Sequence, residues 1–156
     1  MFEQINVKVV PQEDQDYETL GNWWYTPVED ILSPRTLEIR ISDTGNPVNS
    51  MLLAIHELVE AVLCYTSGID QDRVTDFDIL YEEARINLHE TNSTGIAGIC
   101  LKDAFGGHDP ITEDSEPGDD TYAPYQVQHQ AATLVEQFVC ERMGRRWMAY
   151  NDSLLD

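Results

Sequence analysis

Residues 48–63 limit the fold more than any other stretch, because they carry apolar residues at helical spacing with one histidine and two glutamates set among them. At ~100° per residue, Val48, Met51, Leu52, Ile55, Leu58, Val59, Val62 and Leu63 occupy an arc of roughly 140°, the width of a stripe that faces a core. That arc predicts a largely buried helix. His56 falls about 20° past one edge of it, Glu60 about 40° further round, and Glu57 about 60° beyond Glu60. His56 and Glu60 are four residues apart, so their side chains stand one turn apart and can reach a single ion, while Glu57 can address a water beside it.

The flanks set the context of this helix. Thr36–Ser42 alternates apolar Leu37, Ile39 and Ile41 with polar Glu38 and Arg40, the period of a half-buried strand. Asp43-Thr44-Gly45-Asn46 is turn chemistry; Asn46 predicts a helix cap, Pro47 a first helical position, and Gly68 a left-handed exit. Upstream, Ile5-Asn6-Val7-Lys8-Val9 alternates in the same way and stops at Pro11, and the aromatic segment from Leu20 to Thr26 predicts a second strand. Trp23 and Trp24 there are expected to pack on the sheet.

Downstream, Thr75 with Asp78 three residues on predicts the cap of a second helix, with Phe77, Leu80, Tyr81, Ala84 and Leu88 on its apolar face and Glu82 and Glu83 on the flanks. Residues 92–124 hold most of the glycines and many acids, the composition of a long functional loop. A third helix is expected over residues 125–143, apolar at Val127, Ala131, Leu134, Val135 and Phe138 and stopped at Gly144. The pattern predicts one α+β domain over residues 1–156, a small N-terminal sheet packed on about three helices.

His56-Glu57-Leu58-Val59-Glu60 resembles the HExxH helix of zincin-type metallopeptidases, with glutamate where those proteins have the second histidine. The order strand, turn, helix over residues 36–66 is similar too. The resemblance implies a zincin-like fold and a metal-dependent hydrolase acting on a peptide or protein, with His56 and Glu60 as metal ligands and Glu57 as general base.

A third ligand must come from elsewhere, since catalytic ions usually have three protein ligands and an open position. His129 is the first candidate and gives a two-histidine, one-carboxylate set; Glu82, Glu83, His108 and His89 are the others. With His129, zinc is the expected ion, and iron or manganese also fits; a carboxylate at position 60 favours harder ions relative to zinc. The plain alternative is a buried histidine satisfied by Glu60.

Charge narrows the partners. With 29 acidic residues against 9 basic ones and a net charge of −20, the chain repels nucleic-acid phosphates; its one basic cluster is Arg142, Arg145 and Arg146. A divalent metal, a basic peptide or a positively charged protein surface is favoured. Two further readings follow: a non-catalytic acidic binding or inhibitor protein, including a DNA mimic, and an all-helical nucleotide pyrophosphatase, MazG-like through the spacing of Glu57 and Glu60. Cys64, Cys100 and Cys140 are widely spaced in apolar sequence, which suits reduced core thiols and a cytoplasmic protein. No apolar run of the ~20 residues that span a bilayer is expected, nor a membrane partner.

Overall fold

The computed structural model describes residues 2–26, 35–94 and 115–154, with side chains of 86–94 excepted. Expectations for residues 28–34, for Cys100 and His108, and for the His89 and Leu88 side chains lie outside the described residues.

Among the described residues, three strands form one sheet: β1 Gln4–Val10, β2 Gly21–Tyr25 and β3 Thr36–Ser42, in the order β1-β3-β2. β1 runs parallel to β3, with Ile5 beside Leu37 and Val9 beside Ile41, and β2 runs antiparallel to it, with Trp23 beside Ile39. Leu37, Ile39 and Ile41 are fully buried, each contributing about 1.5–3 kcal/mol of apolar burial. The predicted period-2 pattern is therefore realised on the central strand, where one face meets helix and neither edge is free.

Helix α1 spans Pro47–Ser67. Its start is fixed as the sequence requires: the Asn46 side chain accepts a hydrogen bond from the Val48 amide at 3.0 Å, a cap that stabilises by about 1 kcal/mol. Its end is Gly68 at φ 70°, left-handed backbone that glycine adopts without a Cβ clash. By length and composition α1 passes as a membrane span, contrary to the expectation above, yet half of that apolar window is buried inside the fold.

Helix α2 spans Gln71–Thr94. It begins one turn before the predicted Thr75 cap, where the Asp70 carboxylate takes the Asp72 amide at 3.1 Å. Tyr81 and Ala84 are buried as expected, Leu80 is exposed, and Glu82 is buried rather than flanking. Helix α3 spans Gln126–Arg142, and a short helix α4, Trp147–Asp152, follows where the sequence suggested only a tail. The architecture is α+β, with α1 between the sheet and α3. An all-helical architecture, which the pyrophosphatase reading requires, is contradicted by the sheet.

Two faces differ from the sequence pattern. On α1 the buried side is Leu52, Leu53, His56, Glu60, Ala61 and Cys64, while Met51 and Val62 from the predicted core stripe are exposed. On α3 the buried side is His129, Ala132, Glu136 and Cys140, while Val127, Leu134, Val135 and Phe138 are exposed. Both helices turn their ionisable face inward. On α3 the small residues Ala132 and Cys140 share that face with the ionisable groups, whereas Ala61 and Cys64 of α1 pack on the sheet side with Trp23, Leu37 and Ile39.

Candidate metal centre

The inward faces of α1 and α3 meet through paired side chains. His56 lies against Glu136 and Glu60 against His129, so the later residue of α1 meets the earlier residue of α3 and the helices run antiparallel. Three donor atoms converge between them. Glu60 Oε2 is 2.9 Å from His129 Nδ1 and 3.5 Å from His56 Nε2, and the two ring nitrogens are 3.2 Å apart. A tetrahedral ion with ligand bonds near 2.0–2.1 Å requires donor separations of about 3.3 Å, so the triangle is of the size that holds a small divalent ion, once its 2.9 Å edge opens by a few tenths of an ångström. His56, Glu60 and His129, the three residues singled out as ligands, are all buried and together.

Each ligand is held from behind. Glu136 Oε2 accepts from His56 Nδ1 at 3.0 Å, which leaves the Nε2 lone pair pointing into the triangle, and the Tyr150 hydroxyl of α4 donates to the other Glu136 oxygen. Trp23 Nε1 on β2 donates to Glu60 Oε1 at 2.9 Å, freeing Oε2. Glu116 lies 3.3 Å from His129 Nε2 and, as its acceptor, favours the tautomer whose Nδ1 lone pair faces inward. Glu116 and Asp119 also form a second, exposed carboxylate pair around that ring, with Asp119 at 3.9 Å.

Two glycines make the space. A Cβ added at Gly118 would stand 2.2 Å from His129 Cγ, and one at Gly21 would stand 2.4 Å from Glu57 Oε1. Neither glycine has the positive φ that would otherwise explain it. Close approach of a side chain is the reason for both.

The electrostatics follow from burial and pairing. Burial works against charge on His56 and His129, but the hydrogen bonds of Glu136 and Glu60 push His56 up, and those of Glu116 and Glu60 push His129 up to about 10. Burial also disfavours charge on Glu60, yet its bonds to His129 and His56 hold it down at about 2. Among the described residues none hydrogen-bonds the Glu57 carboxyl; burial, then the neighbouring Glu60 charge, pushes it up to about 8. The set is a carboxylate flanked by two rings that carry protons unless a cation replaces them.

The triangle opens into a cavity of about 410 Å³ bounded by β2, α1, α2, α3 and the segment 115–118. Glu57 lines it too. In the same lining Asp78 accepts from the hydroxyls of Tyr17, at 3.0 Å, and Tyr125, and burial raises its pKa to about 7. Glu82 also lines the cavity but is paired with Arg85, and Glu83 is exposed; neither belongs to the donor set.

Glu136 was missed at the sequence level, although it follows His129 by seven residues and so lies on the same helical face. Trp23, Tyr150 and Gly118 left no such trace, because only the tertiary fold brings them to the ligands. No protein-family model, curated protein or solved structure matches the chain.

Proposed function

We propose that the protein is a metal-dependent hydrolase of zincin-like form, a metallopeptidase in which His56, Glu60 and His129 hold a divalent ion, zinc first and iron or manganese as alternatives. The single observation behind this reading is the donor triangle, whose edges of 2.9, 3.2 and 3.5 Å are of the size that holds a small divalent ion and whose ligands each have an orienting partner. An ion held there acidifies a water and polarises a carbonyl.

The chain's own groups do the rest. Glu57 is set in the cavity wall; burial and the Glu60 charge raise it to about 8 in the metal-free protein, and the positive charge of a bound ion would lower it again, so that its carboxylate accepts the proton of the attacking water and returns it to the leaving amine. Gly21 leaves its carboxylate room to swing between the two. Glu116, held ionised by its bond to His129, lines the same cavity as Asp78, which accepts from Tyr17 and Tyr125, and this acidic lining favours a substrate with a cationic side chain. The acidic binding-protein reading rests on net charge alone.

The test is hydrolysis of a library of unstructured peptides by the zinc-loaded full chain and by Glu57→Gln. The reading expects cleavage beside basic residues by the wild type and a loss of about 10²–10⁴-fold in the variant with its metal content unchanged. Equal turnover in Glu57→Gln removes the base assignment, and zinc-loaded protein that cleaves nothing removes the peptidase.

A further inference from the structure

Around the axis of α1 three sectors follow in order. Leu52, His56 and Glu60 face α3 and α4; Leu53, Cys64 and Ala61 rest with Trp23, Leu37, Ile39 and Ile41 in the core; Met51, Ile55, Val59 and Val62 are left half-buried or exposed. The site, lined by residues 19–23, marks the β2 side of the helix, so the open sector lies on the β1 side. There the parallel register sets Ile5, Val7 and Val9 beside Leu37, Ile39 and Ile41 on the helix-facing side of the sheet. They are nonetheless about half exposed, because α1 packs over β2 and β3 and stops short of β1. The outcome is an apolar trough between the exposed flank of α1 and the uncovered face of β1.

What fits a trough of this kind is an amphipathic helix, and the chain carries one on its outside. Val127, Ala131, Leu134, Val135 and Phe138 follow the spacing i, i+4, i+7, i+8, i+11 along α3, and Val127, Leu134 and Phe138 are 70, 67 and 65% exposed. Together the ridge and the trough expose apolar surface on the order of 700 Å² per protomer, close to the ~800 Å² that each partner gives to a standard interface. Charge agrees with that occupant. The exposed Arg142 and Arg146 stand at the end of the ridge, and the trough's β1 wall is bounded by exposed acids at both ends, Glu3 before it and Glu13 and Asp14 after it.

We propose that the protein is a two-fold dimer in which the α3 ridge of each copy fills the β1–α1 trough of the other. Ridge and trough are different surfaces, so the pair closes at two copies only with both ridges seated at once about the two-fold axis; a single seated ridge would leave an open chain of copies, which the measured mass distinguishes. It leaves the metal cavity, on the other flank of α1, open.

Light scattering coupled to size exclusion tests this on the full chain at micromolar concentration, in low and high salt, for wild type, Leu134→Lys and Val7→Lys. Both substitutions reduce the net negative charge, so added repulsion between acidic chains cannot account for dissociation. Expected are twice the chain mass for wild type in low and in high salt, since apolar contact carries the interface, and association weakened about tenfold or more in each variant with unchanged thermal unfolding. A monomer under all conditions overturns the proposal, as does a dimer that persists in both variants or yields to only one of them. A monomeric wild type that instead binds phosphatidylcholine vesicles, or a basic amphipathic helical peptide, through Val7 and Leu134 equally overturns it and assigns the trough to a membrane or to another protein.

Discussion

The carboxylate of Glu136 accepts from His56 Nδ1 at 3.0 Å and so decides which nitrogen of that ring faces Glu60 and His129. Removing its charge while keeping its shape tests whether this bond serves metal binding. Glu136→Gln is expected to weaken zinc affinity by about 10–100-fold, the usual effect of losing such a partner. Competition against a colorimetric chelator reads it directly. Unchanged affinity would assign Glu136 a packing role.

Gly118→Ala probes the other histidine. With only 2.2 Å to His129 Cγ, a methyl group there forces the ring or the 115–118 segment to move. Overpacking of this size costs about 1–3 kcal/mol of stability. The distinguishing outcome is a larger loss of metal affinity than the stability change alone produces, measured by chelator competition beside a denaturant titration.

Trp23→Phe keeps the aromatic packing of β2 and deletes the donor to Glu60 Oε1. Leaving that buried carboxylate oxygen unpaired costs about 1–3 kcal/mol in the metal-free protein. Added zinc, by fixing Glu60 through Oε2, restores part of the loss. Urea unfolding with and without zinc reads both effects, and a variant as stable as wild type in chelator would show the bond to be dispensable.

How far this site was legible before the fold can be argued from particular residues. His56, Glu57 and Glu60 stood out because three ionisable groups interrupt an apolar helix, and Asn46, Pro47 and Gly68 marked its ends by local backbone chemistry that needs no tertiary information. His129 was legible for a reason that pointed both ways. It lies off the apolar arc of α3, which marks a surface histidine if the arc faces the core, but here the arc faces out and His129 faces in. On α1 the departure is partial: Leu52 is fully buried and Val48 and Leu58 pack against the cores as the stripe predicts, while Met51 and Val62 within it are exposed. Periodicity locates an apolar face; it does not say whether this chain or another covers it. Trp23, Gly118 and Tyr150 reach the ligands from β2, the 117–119 turn and α4, and no spacing along the chain encodes those approaches.

Asp78 supplies a pH signature. Its pKa in the folded protein is raised from the ordinary 3.8 to about 7, first by burial, with the Glu60 charge adding to it and the tyrosine hydroxyls opposing. Between those two values the folded state holds a proton that the unfolded chain has lost, so this group's contribution is present in full below the unfolded pKa and is lost as pH rises through about 7. Metal-free protein is therefore expected to lose stability from this residue over that window, on the order of a few kcal/mol. Asp78→Asn, which cannot ionise, flattens that part of the profile. Chemical denaturation in chelator across the window checks it, and parallel profiles for the two proteins would contradict the assignment.

The central claim is that α1 and α3 together form one metal centre, and it is tested most directly by elemental analysis and zinc titration of the untagged protein, wild type beside His56→Ala and His129→Ala. The account predicts about one ion per chain in the wild type, as a single three-ligand triangle allows, with affinity lost in both variants although the substituted residues lie on different helices. Wild-type protein that takes up no divalent metal, or zinc binding that survives His129→Ala undiminished, would contradict it.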